Sequence, residues 1–426
     1  MARRNFPKNY RRRGRSRRPY SRRPGQAPAP LSFWAKISAY FSKPRPRQQL
    51  KTPQRVLEVG VGSAEVAGSS DSALEFAPSL FFKFPELAEK IPWLSLRGSL
   101  EVSPPSKSMH IQHLFGDNHI FLKREKLDAD HIVENQAKKM EFSLAAALKA
   151  KKRLVGFGYT GSAYIWSLAQ IARMFGAKLE LCLLNRPMGE LEKDRQKDIQ
   201  KWVSAVRICS SESSYELRRK WMSYKSAWTK AQFLDFEGIN SEAVLGYISS
   251  MGELRDQVDR GLIPSPDLIV IPVESGVSLA GLEIGRRIYE FQKIDILGIR
   301  TRKFYHMDRD RLANLANGAI EILNRHLNQN LKFSFKPESF NILEDYSQDA
   351  GQLDQLKVDR WRHRLMDLDA LEFDPMNNAR AFLALSEYVN SKPISQKKIL
   401  YWNTSSALGS LSVELKPKKT LIRRRA

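Results

Sequence analysis

From about residue 90 onward, short apolar runs alternate with longer segments of helical periodicity. The runs "HIFLKRE", "RLVGFG", "KLELCLLN", "PDLIVIPV", "KIDILGI" and "KILYWN" read as strands. Between them, "NQAKKMEFSLAAALKAK", "SAYIWSLAQIARMFG" and "SGVSLAGLEIGRRIYEFQ" read as helices. Strands joined through helices must pair in parallel, because a crossover returns the chain to the same end of the sheet. The nearly continuous apolar character of the strands predicts sheets covered on both faces. In such sheets ligands gather at the C-terminal ends of the strands, beside helix N-termini. Met140, Leu144, Ala147 and Leu148 share one face of the first helix, and Gly176 supplies a C-cap for the second. The stretch 188–230 reads as helical, with its charges forming a solvated face, and carries no motif. No internal repeat is present.

The 426 residues are 42% hydrophobic and 10% aromatic, enough to bury a core spread over two or three lobes. The net charge of +24 sits at the ends. Of the 70 Lys and Arg, 17 lie in residues 1–55, which hold no acidic residue, and 6 lie in 416–426. That leaves 47 basic residues against all 46 acidic ones in between. Residues 1–50 are too rich in Arg, Pro, Gly and Ser to form a core and read as a disordered basic tail. Within it, residues 31–43, "LSFWAKISAYFSK", place Phe33, Trp34, Ile37, Tyr40 and Phe41 at helical spacing, an amphipathic helix. Residues 416–426 form a second basic tail. Charge of this density predicts contact of 1–55 and 416–426 with nucleic acid or an anionic membrane surface. Two cysteines, Cys182 and Cys209, are too few for a disulfide framework or a four-cysteine zinc site. With no run of membrane-spanning length, the expectation is a cytoplasmic protein, with membrane-surface association through the tails. The seven histidines show no ligand spacing, so no metal is expected.

Seven local patterns then follow one another in a fixed order: "FLKREKL", "VENQAKKME", "GFGYTGSAYIWSLAQIARMFGA", "EGINSEAVLGY", "PVESGVSLAGLEIG", "DPMNNARAFLAL" and "ILYWNTSSALGSL". Taken in series, over roughly residues 90–412, they resemble the 1-aminocyclopropane-1-carboxylate deaminase and D-cysteine desulfhydrase family. These are pyridoxal-phosphate enzymes of fold type II, the tryptophan synthase β-like class. The resemblance implies an α/β fold of two open, mostly parallel sheets flanked by helices. A small lobe of 138–255 would be inserted into a large lobe of 90–137 plus 256–415. It is also compatible with a homodimer.

The resemblance assigns site positions residue by residue. The second pattern is similar to G-G-N-K-x-R-K-L-E, which puts Asn135 in register and Gln136 on the lysine that holds the cofactor as an imine. Lys139, one helical turn on, is the only local amine that substitutes. Ser162 falls on the active-site serine, with Ala163 and Tyr164 on an Asn and a His. Glu274, Ser275, Gly276, Val277 and Ser278 occupy the phosphate loop, of which Ser275, Gly276 and Ser278 can form part of a cradle. Asn377 stands at a tyrosine, and Lys126 at an aspartate. Thr404 matches the threonine of the last strand, with Ser405 and Ser406 in place of glycines. Ser162 also reads simply as a helix cap, 274–278 as a strand-to-helix turn, and Thr404 as a strand end.

Pyridoxal phosphate is therefore the cofactor the resemblance implies, but a glutamine amide forms no imine. The expectation is a degenerate relative that acts as a scaffold or binding module. Two alternatives stand beside it. One is an active lyase or deaminase on a small amino acid of the D-cysteine or aminocyclopropane-carboxylate type, using Lys139. The other is a non-catalytic small-ligand sensor.

Overall fold

The computed structural model describes residues 77–96, 106–107, 111–125, 134–301, 308–344, 346, 355–369, 373–374, 377–392 and 394–404. Both basic tails, the 31–43 segment, Lys126, Ser405 and Ser406 lie outside the described residues. In chain order, α1 (Ser79–Lys83) is followed by β1 (Ser106–Lys107), β2 (His119–Arg124), α2 (Glu134–Ser143) and α3 (Ala145–Lys149). Then come β3 (Leu154–Tyr159), α4 (Ala163–Met174), β4 (Leu179–Leu184), α5 (Glu190–Trp202), β5 (Ala205–Cys209), α6 (Glu212–Trp228) and β6 (Gln232–Phe236). The remainder is α7 (Ser241–Asp259), β7 (Leu268–Val273), α8 (Val277–Ile288), β8 (Asp295–Arg300), α9 (Arg309–Asn324), β9 (Ile342–Leu343), α10 (Gln355–Asp369), α11 (Asn378–Ser391) and β10 (Lys398–Asn403).

The strands form two open sheets. One has the order β1-β2-β10-β7-β8-β9, the other β5-β4-β3-β6. Every pairing is parallel except that of β1 with β2. The central strands of the larger sheet are buried on both faces, and period-2 alternation sorts their side chains. Ile399 and Tyr401 of β10, with Val270 and Leu297, pack against Phe382 and Leu385 of α11. Leu400 and Trp402, with Ile269 and Ile296, point the other way, into the core built on α7 and α8. A third cluster covers the smaller sheet, joining Leu154 and Leu181 to Leu168 and Ile171 of α4.

Helix α7 is the hub on which α2 and α8 pack. At Gly246 an added Cβ would lie 2.0 Å from the carbonyl oxygen of Lys138, so α2 and α7 touch backbone to backbone. At Gly281 it would lie 2.4 Å from the Tyr247 Cβ and 2.8 Å from the Val244 carbonyl oxygen, so α8 also packs closely on α7.

Two expectations are corrected. The first long helix is split into α2 and α3 at Leu144, and residues 188–230 are not helical throughout. Within them Ala205–Cys209 forms β5, an edge strand whose residues other than Cys209 are at least partly exposed, so it lacks the apolar run that marks the central strands. The outward face of α6 is also not simply charged: Leu217, Trp221, Tyr224 and Trp228 are all exposed. The two cysteines, on neighbouring strands, are free thiols with sulfurs 3.8 Å apart. Among the described residues no helix is long and apolar enough to cross a membrane.

Candidate functional site

The C-terminal ends of β3 and β6, the turn after β7 and helix α2 surround a cluster of charged side chains. Strand β3 leads through Gly161, in the left-handed region, to Ser162, the N-cap of α4. The Ser162 hydroxyl oxygen accepts from the N–H groups of Tyr164 and Ile165, 3.1 and 3.4 Å away. Its own hydrogen goes to Glu237, 2.5 Å away. The second Glu237 oxygen accepts the Tyr159 N–H at 2.7 Å. Glu237 is buried at the end of β6 with a backbone φ of +52°. That left-handed conformation costs a non-glycine residue roughly 1 kcal/mol, and in the pattern "EGINSEAVLGY", which resembles the family's G-G-S-N-x-x-G-A-L-G-Y, Glu237 stands at a glycine. Gly158 makes room for the carboxylate, since a Cβ there would stand 2.3 Å from it.

Burial pushes the Glu237 carboxyl above the usual carboxylate range, and Glu274 adds to the shift. Arg186, Ser162 and the Tyr159 N–H pull in the opposite direction. Lys139 faces the same cluster. Burial lowers its ammonium below the ordinary lysine value, while Glu274, Glu237 and Glu125 work to raise it. One turn earlier on α2, Gln136 is buried, and its side-chain oxygen has no hydrogen-bond partner among the described residues. The amide thus presents an unsatisfied acceptor where the resemblance implies an amine. Of Asn135 only the backbone is described; it lies in the first turn of α2.

The neighbouring Lys138 points elsewhere. Its side chain is fully buried between Glu125 at 3.3 Å and Glu253 at 3.5 Å. Glu125 also accepts from Trp402 Nε1 at 2.7 Å and from the Tyr247 hydroxyl at 3.2 Å. The Lys138 ammonium lies 5.9 and 5.8 Å from the Tyr247 and Trp402 ring centroids. Four of the sequence patterns therefore meet at one buried cation.

The turn after β7 runs from half-buried Glu274 through buried Ser275 to Gly276, whose φ of +75° starts α8. Val277 and Ser278 are buried in the first turn of that helix. Asn377 and Thr404 are gathered instead around Asp374 and Asn378. The Asn377 side-chain oxygen accepts from the Thr301 hydroxyl at 3.0 Å, and its N–H donates to Asp374 at 2.8 Å. The Thr404 N–H donates to the Asn378 side-chain oxygen at 3.2 Å, and Tyr401 hydrogen-bonds the same residue. Among the described residues no group of His, Cys, Asp and Glu is arranged to hold a metal ion.

Sequence reasoning placed Lys139, Ser162 and the 274–278 turn near one another but passed over Glu237 and Asn378. Glu237 was visible only as a glutamate in a glycine position, and Asn378 only as the neighbour of Asn377. The chain can do two things here. It can hold a proton between the Lys139 amine, whose basicity is lowered, and the Glu237 carboxyl, whose pKa is raised, and it can offer hydrogen-bonding groups to a small ligand.

No protein-family model matches this sequence, and no curated protein does. Solved structures do. The crystal structure of an ACC deaminase homologue superposes with a TM-score of 0.63 at 20% identity, covering 78% of this chain and 96% of that one. O-ureido-L-serine synthase superposes with a TM-score of 0.50 at 10% identity, covering 73% and 91%. At such identities the likeness is one of fold, and by its two sheets, their order and these neighbours the chain has the fold type II architecture of the pyridoxal-phosphate enzymes.

Proposed function

We propose that this protein is a binding module on an enzyme fold and holds no pyridoxal phosphate covalently. The observation that carries this reading is Gln136, a buried amide at the position from which the resemblance draws the imine-forming amine. A delocalised amide nitrogen has no lone pair for that bond. Two further features speak against the cofactor. The turn that would cradle its phosphate begins with Glu274, a carboxylate beside a dianion. The Ser162 hydroxyl is already donated to an internal carboxylate, Glu237. The site then suits a small ligand that satisfies the Gln136 oxygen with a donor and forms no covalent bond. The basic ends, with 17 and 6 positive charges, are proposed to serve as polyanion contacts.

The test is an absorbance spectrum of the purified protein after incubation with pyridoxal phosphate, before and after borohydride, with peptide mapping by mass spectrometry. The expected result is no near-visible band and no reduced adduct. One specific observation favours a second reading, an active enzyme with a displaced amine: Lys139 faces the carboxylates with its basicity lowered by burial. A stoichiometric adduct mapped to Lys139 would establish that reading and sink the first.

A further inference from the structure

Helix α6 is anchored on the small sheet by Tyr215, Met222 and Ser226, which are buried. Its opposite face carries Leu217, Trp221, Tyr224 and Trp228, exposed by 74%, 54%, 66% and 76%. These four follow one another at intervals of four, three and four residues, which aligns them in a single stripe along the helix. They are the largest concentration of exposed apolar side chains on any one described element. A stripe like this is not the surface of a protein that meets only water. The flanks lean basic. Residues 212–230 contain Arg218, Arg219, Lys220, Lys225 and Lys230 against Glu212 and Glu216, with Arg219 paired to Glu216 and Lys225 to Glu180, inside a stretch of chain that is otherwise nearly neutral. The Lys225 ammonium sits 5.5 Å from the Trp221 ring centroid, so cation and aromatic are presented together.

We propose that this face of α6 docks on a bilayer surface containing anionic lipid, with the helix lying in the plane of the membrane. Tryptophan and tyrosine prefer the headgroup level, where an apolar ring and a polar edge are both satisfied. Leu217 reaches the acyl boundary beside them. Arg218 and Lys220, beside the stripe, meet lipid phosphates. A second copy of the chain fits the stripe less well. An antiparallel helix pair sets Arg218 of one copy against Lys225 of the other, and a parallel pair sets Lys220 against Lys225, so both arrangements juxtapose cations. Single-stranded nucleic acid would use the rings but has no use for Leu217, and it favours a groove over the ridge of one helix.

The test uses the full-length protein with phosphatidylcholine vesicles and with mixed phosphatidylcholine–phosphatidylglycerol vesicles, some carrying brominated acyl chains. Flotation and quenching of tryptophan fluorescence are measured for the wild type, for Trp221→Ser/Trp228→Ser and for Lys220→Glu/Lys225→Glu. All four positions are at least partly exposed, so the variants keep the core, and circular dichroism checks this. The expected result is binding to the mixed vesicles only, with quenching, and roughly tenfold weaker binding for either variant. Three outcomes overturn the proposal. The first is equal vesicle binding by all three forms, which places the contact elsewhere. The second is no vesicle binding, with light scattering showing a dimer that the tryptophan variant breaks. The third is no vesicle binding, with single-stranded DNA binding lost in the tryptophan variant.

Discussion

Replacing Lys138 with methionine tests the buried cation that ties the patterns together. The substitution keeps most of the side-chain volume and removes the charge, leaving the Glu125 and Glu253 carboxyls in an interior where all three side chains are 5% exposed or less. Breaking a buried ion pair by removing one member costs about 3–5 kcal/mol, because the remaining charge is uncompensated. Glu125 keeps two donors, Trp402 Nε1 and the Tyr247 hydroxyl, so the lower end, about 3 kcal/mol, is expected. At about 2 °C per kcal/mol for a large domain, the Tm should fall by about 6 °C. The loss should be smaller at pH 5 than at pH 8, since carboxyls without their cation take up protons more readily. The triple variant Lys138→Met/Glu125→Gln/Glu253→Gln should recover much of the stability, because it removes the charges altogether. Guanidinium denaturation at both pH values provides the measurement. If Lys138→Met matched the wild type within 1 kcal/mol at pH 8, the cation would not hold the core together.

Other outcomes follow from the same geometry. Gly246→Ala drives a Cβ to 2.0 Å from the Lys138 carbonyl; overpacking against backbone should cost about 3 kcal/mol, and an unchanged denaturation midpoint would contradict the close approach of α2 and α7. Glu237 has its folded-state pKa raised, so its contribution to stability is complete below the ordinary carboxylate pKa and is lost as pH rises through the raised value. The Tm advantage of Glu237→Gln over the wild type should therefore grow from acid toward neutral pH, and a constant or shrinking difference refutes the assignment. Burial, then the neighbouring Cys209, push the Cys182 thiol up to about 12; native protein should react with a thiol reagent slowly at pH 8 and rapidly once unfolded, and fast native labelling would disprove the burial. Gln136→Lys alone should yield no release of ammonia or hydrogen sulfide from aminocyclopropane carboxylate or D-cysteine, since Glu274, Val277 and Asn377 remain and groups that act as a unit are not restored singly. Turnover above background would show an intact site.

The fold was legible because its central strands are buried on both faces and therefore apolar end to end. "PDLIVIPV" and "KILYWN" announce themselves; β5, with Arg207 and Ile208 exposed at a sheet edge, does not. At the site, what could be read was what is local. Ser162 follows a strand and a glycine turn and precedes a helix, so its capping position is written in the neighbouring residues. Its bond to Glu237 spans 75 positions and depends on how β3 pairs with β6, which no window of sequence contains. The left-handed φ of Glu237 is likewise invisible in the letters, although a glutamate in a glycine position was a signal that went unused. Asn378 was missed because its contacts reach Tyr401 and Thr404 across the sheet.

Lys138 and Lys139 are adjacent in sequence and identical in chemistry, and only the orientation of α2 separates them. One step along the helix turns a side chain by about 100°, at 3.6 residues per turn. That step carries Lys138 into the core, onto Glu125 and Glu253, and leaves Lys139 facing Glu237 and Glu274. The difference explains why the motif positions split as they do. Glu125, Lys138, Tyr247 and Trp402 satisfy one another, so changing one strands the charge or donor of another, whatever the protein binds. Lys139, Glu237 and Glu274 meet on another side of the helix, and Gln136 lies one turn before Lys139. A polar network that stabilises the fold and a cluster of ionisable groups open to other chemistry can therefore sit on different faces of the same helix.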